Sequence, residues 1–237
     1  MNMFRKILCT ALAVALIAAM MLTAMAETAT LYMRGKDNGT NFYESVELQN
    51  VTKDTKITDI KSSNKKVMKV LSLRKTTSTN KVYGTGKTEK SYGARISVNL
   101  MKLGTATLTY KQDGKRMSQK YVVKAYSNPI SSLVLTGISD KDLKARFDKH
   151  GLADSLSLTK NASAGKLKVK AASGWVITSV TWRDHAEDSE RCYYSYRGAS
   201  SCALSTPAMV KGNGYYLSVD LRNKATGGSQ YVSISIE

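Results

Sequence analysis

Proline is almost missing from this chain of 237 residues, occurring only at Pro129 and Pro207. That excludes a proline-rich spacer or polyproline recognition arm. Histidine is as scarce: His150 and His185 stand far apart in the sequence, and the acidic run Asp184–Glu190 holds only one of them, which disfavours zinc there. The chain has no Gly-x-Ser-x-Gly elbow, His-Glu-x-x-His helix or phosphate-binding glycine loop, so no catalytic motif with a local signature is present. Three cysteines include no Cys-x-x-Cys pair, which argues against thiol redox catalysis. Acidic residues are few, 18 against 36 lysines and arginines. The expectation is a non-enzymatic protein without cofactor or metal.

Long apolar runs are also missing, with one exception at Ile7–Leu22. Arg5 and Lys6 precede it and Ala24-Met25-Ala26 follows, the layout of a secretory signal with a small-x-small cleavage site. Residues 1–26 are therefore expected to be removed, leaving a secreted or cell-surface chain with no transmembrane segment. Removal takes Cys9 and leaves Cys192 and Cys202. An even count in an exported chain predicts a disulfide. The nine residues between them leave room for a local hairpin, and closing so small a loop stabilises by roughly 2.5–3 kcal/mol.

What is abundant is alternation. In GTATLTYKQDGKRMSQKYVVKAY (104–126), Ala106, Leu108 and Tyr110 alternate with threonines, and Tyr121, Val123 and Ala125 fall on one face of a second segment. Successive side chains of a strand point to opposite faces, so this is a pair of half-buried strands. Asp113-Gly114 between them tolerates the positive φ of a tight hairpin turn. Similar runs occupy Thr28–Met33 and Phe42–Leu48, and a Lys/Thr/Gly-rich stretch, Leu71–Leu103, reads as an extended hairpin turning near Thr76–Asn80 or Gly84–Lys90.

At Tyr126-Ser127-Asn128-Pro129 one strand ends and a new apolar run begins. The charge changes there too: residues 27–126 carry 20 basic against 8 acidic residues, and 127–237 carry 14 against 10. Two all-β sandwich domains, 27–126 and 127–237, are expected, each near the usual size of that fold. In the second, strands are expected at Ser132–Ile138, Leu143–Phe147, Leu156–Thr159, Lys166–Ala171, Val176–Arg183, Cys192–Tyr196, Ser201–Ser205, Tyr215–Arg222 and Gln230–Ile236. Asp140–His150 is the one stretch with a helical alternative. Trp182 suits a core tryptophan and Tyr216 a tyrosine corner of an immunoglobulin-like sandwich.

The first half has a further pattern. Ile57 and Ile60 lead into Ser62-Ser63-Asn64, Val67 and Val70 follow, and Gly104-Thr105-Ala106-Thr107-Leu108-Thr109 comes later. In these motifs residues 28–126 resemble the bacterial immunoglobulin-like domains of group 2. The second half is only generically immunoglobulin-like. The resemblance implies a bacterial source and a non-catalytic module of an exported protein: an envelope spacer, an adhesin repeat or a carbohydrate-binding accessory. A secreted hydrolase with an unrecognised site is the remaining alternative.

Three groups are candidate sites. Tyr193, Tyr194, Tyr196 and Arg197, with Trp182 nearby, could stack on sugar rings and hydrogen-bond hydroxyls; the competing reading places some of these rings in the core. Lys65, Lys66, Lys69, Arg74, Lys75, Lys81, Lys87 and Lys90 form a basic set suited to anionic envelope polymers or glycans, or to another protein; lysines also keep strand edges soluble. No nucleic-acid motif accompanies them. The acidic run Asp184–Glu190 has oxygen ligands for a hard cation but matches no calcium-loop spacing, so no metal is assigned.

Overall fold

The computed structural model describes residues 28–33, 43–81, 88–185 and 189–237, with backbone alone at 80–81, 153–154 and 189–197. The proposed leader, residues 1–26, lies outside the described residues. The fold is all-β: two tandem sandwiches, each built from two facing sheets.

In the first sandwich one sheet contains β1 (Ala29–Met33), β3 (Ile57–Ser62), β6 (Gly104–Gln112) and β7 (Lys115–Ala125), in the order β1-β7-β6-β3. The other contains β2 (Tyr43–Leu48), β4 (Met68–Lys81) and β5 (Thr88–Leu100), in the order β2-β5-β4. The inward sets are the alternate residues. Ala106, Leu108 and Tyr110 of β6 face Ala94, Ile96 and Val98 of β5 in one buried cluster, closed by Met68. Each fully buried aliphatic side chain contributes about 1.5–3 kcal/mol by leaving water. The β6–β7 turn is the expected one, with Asp113 at φ 52° and Gly114 at φ 80°. The Asp113 carboxylate also accepts the Lys56 N–H at 2.7 Å, tying the turn to β3. The long stretch after Val70 is indeed a hairpin: β4 and β5 pair from Met68↔Leu100 out to Lys81↔Thr88.

The short motifs of the first half meet in space. Thr107 and Ser63 exchange two hydrogen bonds, Ser63 N–H to Thr107 O at 2.9 Å and Thr107 N–H to the Ser63 side-chain Oγ at 2.8 Å. Asn64 O accepts the N–H groups of Val67 and Met68 at 3.1 and 2.9 Å, which turns the chain into β4. Gly104 opens β6 at φ +143°, and a Cβ there would lie 3.1 Å from Val67 Cγ2. Only glycine meets both demands without strain.

In the second sandwich β8 (Ile130–Leu135), β10 (Lys166–Ala171) and β13 (Ser201–Ser205) form a sheet of order β13-β10-β8. Facing it are β9 (Leu152–Leu156), β11 (Trp175–Asp184), β12 (Ser189–Ala199), β14 (Tyr215–Asn223) and β15 (Ser229–Ile236), in the order β12-β11-β14-β15-β9. The core holds Leu133, Leu135, Leu167, Ile177, Val180, Leu217, Val219 and Ile234. Two expected strands differ. Leu143–Phe147 is neither strand nor long helix but a short 3-10 turn, Lys144–Phe147, whose Leu143 and Phe147 plug the core. Leu156–Thr159 is replaced by β9, four residues earlier, which pairs parallel to β15.

The junction is packed. Tyr32 of β1 is buried in the second core, its ring 5.3 Å from that of Trp175 and its hydroxyl 3.1 Å from Thr226 Oγ1. Tyr126 donates to Phe147 O at 2.7 Å, and Gln230 Nε2 donates to Ser127 O at 3.3 Å.

Candidate binding faces

The tyrosine group lies on β12, at the edge of its sheet. The side chains of Tyr193, Tyr194, Tyr196 and Arg197 lie outside the described residues; their backbone positions do not. Tyr193 pairs with buried Val180 and Tyr194 with Ser179. Tyr196 and Arg197 fall between the Ser179↔Tyr194 and Ile177↔Ala199 pairs, where β12 bulges away from its partner. Bulges of this kind re-aim side chains and end regular pairing.

Trp182 does not join a surface site. It is 2% exposed, and its indole packs against the Tyr215 ring at 5.9 Å. The alternation of β11 decides this, because Val180 and Trp182 share the inward face. The disulfide is likewise corrected. Cys202 is a free, buried thiol on β13. No hairpin folds Cys192 back to it: β12 runs on as a strand to Ala199, and the chain then crosses to the opposite sheet, where Cys202 pairs with Val169. Burial raises the pKa of the Cys202 thiol, so it stays protonated at neutral pH.

The basic set is divided between positions. Lys65 and Lys66 are exposed in the turn before β4. Lys69 and Arg74 point outward from β4, paired across from Asn99 and Arg95. Lys75 lies on the other face and donates to Thr55 O at 2.5 Å. Lys90 pairs with Thr79 near the hairpin end, the side chain of Lys81 is not described, and Lys87 lies outside the described residues. Among the described residues the set is split between the turn before β4 and the two faces of β4. A strand that alternates sends neighbouring lysines to opposite sides, whatever their density in the sequence.

The outer face of β2-β5-β4 instead gathers residues from all three strands. Cross-strand rows read Tyr43–Asn99–Lys69, Ser45–Ser97–Ser72 and Glu47–Arg95–Arg74. Tyr43 is 66% exposed, and Leu71, set out by a bulge between Val70 and Ser72, is 49% exposed. With Ser45, Ser72, Arg74, Arg95 and Ser97 they line an open depression of about 300 Å³. Arg95 Nε lies 3.4 Å from Glu47 Oε1; no ion pair engages Arg74 among the described residues. An aromatic ring, two guanidinium groups and three hydroxyls share this face. Such a set can stack on a sugar and hold a carboxylate. Sequence reading missed Tyr43, Leu71 and Arg95 because nothing local links them; the hairpin register does.

A second depression, on the β3–β6 side, holds Asp59, Lys61, Lys111 and Arg116. Its charge is partly met from within: Asp59 pairs with Lys111 at 2.8 Å, and that hydrogen bond and charge hold its carboxyl below the ordinary value. Among the described residues no group of three or more His, Cys, Asp and Glu could hold a metal ion, and no helix is long and apolar enough to cross a membrane. Most of the acidic run at Asp184–Glu190 lies outside the described side chains.

No family model and no curated protein matches the chain. Among solved structures, domains 5–6 of the S-layer protein SbsC are 16% identical, with 87% of this chain and 93% of that one covered and a TM-score of 0.29. A chimeric titin Z1Z2 tandem is 10% identical, with 88% and 93% covered and a TM-score of 0.27. The Yersinia pseudotuberculosis adhesin InvE is 10% identical, with 88% and 56% covered and a TM-score of 0.23. At these scores the architecture rests on the strands and their register.

Proposed function

We propose that the chain is an exported, non-catalytic binding and spacing module of a bacterial envelope, divided into domains at 27–126 and 127–237. The observation that carries this reading is the open outer face of β2-β5-β4. There Tyr43, 66% exposed, lines one depression with Arg74 and Arg95, on a sheet whose other side is packed core. A flat face over a rigid core binds by contact and charge. The density of the core beneath it supports a platform that does not rearrange on binding.

The ligand class this face fits is an acidic glycan, with the phenol ring stacking on a sugar and the guanidinium groups taking its carboxylate. The carbohydrate reading thus moves from β12 to β2-β5-β4. It is tested by calorimetric titration of the full chain with uronic-acid oligosaccharides. Tyr43→Ala and Arg74→Ala are each expected to weaken binding by about tenfold, one guanidinium or ring contact being worth about 1.4 kcal/mol or more. Added salt should weaken it further, since exposed charges are screened within about 10 Å at 0.1 M. Unchanged affinity in both variants would overturn the assignment of this face. Turnover of a glycan, abolished by a single Ser, Asp or His substitution, would overturn the non-catalytic reading.

A further inference from the structure

The second sandwich carries a cationic feature that the sequence reading passed over. β10 reads Lys-Leu-Lys-Val-Lys-Ala. Leu167, Val169 and Ala171 are buried, while Lys166, Lys168 and Lys170 are exposed. Because β10 alternates, all three ammonium groups leave the same side of the sheet, about 6.7 Å apart along the strand. Their neighbours are set by register. Lys170 lies between Ser132 and Ser201, and Lys168 between Val134 and Ala203. Lys166 pairs with Ser205, and its N–H donates to Thr136 Oγ1 at 2.8 Å. Between the upper two lysines an open trough of about 390 Å³ is lined by Ser132, Lys168, Lys170, Ser201 and Ala203.

Two physical points set this ladder apart from ordinary surface charge. Lysines that protect a sheet from aggregation sit on edge strands; β10 is the middle strand of β13-β10-β8. Like charges about 6.7 Å apart along one strand face repel one another, and no ion pair relieves these three among the described residues. Asp142, beside β8, is already engaged, accepting the N–H groups of Leu133 and Lys144 at 3.0 and 2.9 Å. A row of like charges with flanking hydroxyls complements an external row of anions.

We propose that the outer face of β13-β10-β8 is a docking strip for a linear phosphodiester polymer, such as a poly(glycerol phosphate) chain, with successive phosphates on Lys166, Lys168 and Lys170. Ser132 and Ser201 donate to the phosphate nearest Lys170. The cross-strand partners of the ladder are serine, valine and alanine, so the strip has no aromatic ring on which to stack a base or a sugar. That argues against single-stranded nucleic acid, whose bases need a stacking platform, and for a flexible polymer held by charge spacing. The strip is in a different sandwich from Tyr43 and Arg74, so either assignment can fail without the other.

The test uses the full chain, with fluorescent poly(glycerol phosphate) as probe and heparin fragments and oligo-dT as comparison ligands. Wild type is expected to bind the phosphodiester chain more tightly than either comparison ligand. Lys168→Gln and Lys170→Gln should each weaken it by about tenfold, whereas Lys211→Gln and Lys224→Gln, equal in charge removed, should change it by less than about twofold. Tyr43→Ala should leave it unchanged. Lysine acetylation of wild type gives an answer that needs no variant, since bound polymer should protect Lys166, Lys168 and Lys170 selectively. Absence of binding, equal losses from the control lysines, no selective protection, or tighter binding of heparin or oligo-dT would each overturn the proposal.

Discussion

Tyr215 begins β14 with its ring 2% exposed, and its hydroxyl accepts the Val210 N–H at 2.7 Å, five residues upstream. This is the local bond of a tyrosine corner, made one residue before the Tyr216 that the sequence suggested. The shift has a simple cause. A step of one residue along a strand exchanges the buried face for the open one, and only packing against Trp182 shows which tyrosine turns inward. Tyr215→Phe should cost about 1 kcal/mol in urea denaturation, the net worth of one hydrogen bond, and Tyr216→Phe close to nothing. Tyr121 gives a second residue-scale expectation. Burial, with the neighbouring Tyr110 adding to it, pushes its phenol up to about 12 from 10.0. The folded state therefore holds this proton after the unfolded chain has released it. Stability is fully present below pH 10.0 and falls as pH rises toward about 12. Thermal unfolding of Tyr121→Phe should lose less stability across that window than wild type.

At the scale of elements, the hairpin of β6 and β7 was legible in full. Alternation marked both strands and Asp-Gly marked the turn, all local signals. The expected β10 and β13 ends coincide with those observed for the same reason. Leu143–Phe147 misled because two apolar residues four apart fit a strand end, a helix turn or a 3-10 plug, and contact with the core chooses among them. The two glycines of the hairpin separate local from tertiary demands. Gly114, at φ +80°, has nothing within 4 Å of a Cβ, whereas Gly104, at φ +143°, has Val67 Cγ2 at 3.1 Å. Gly114→Ala should cost about 1 kcal/mol from backbone conformation alone, and Gly104→Ala about 2–3 kcal/mol as overpacking is added. Urea midpoints of the two variants check the order.

On the scale of the whole molecule, the two sandwiches share a core residue. Tyr32 belongs to β1 by pairing and to the second core by burial. Gly228 permits this contact: a Cβ there would stand 2.9 Å from both Thr30 O and Tyr32 Cε2. Removing the shared ring should uncouple the halves. Calorimetry of wild type should give one merged unfolding transition, and Tyr32→Ala should separate it into two, with a loss of about 3–5 kcal/mol, as for other buried aromatics. Gly228→Ala should loosen the joint while leaving both cores intact, and Trp175 fluorescence should report it through the lost Tyr32 contact. Two unchanged transitions in these variants would show that the halves unfold independently.

Composition and alternation by themselves determined that this chain is all-β and where most strands run. Those properties depend on the period of side chains along a single segment, so a local pattern suffices. Tertiary structure decided the rest: that Trp182 is core, that Cys202 is a buried free thiol, and that Tyr43 lines one depression with Arg74 and Arg95. It also placed the lysines of β10 on a central strand. Each of these depends on which strands lie side by side and in what register, and that is fixed by burial of both sheets together.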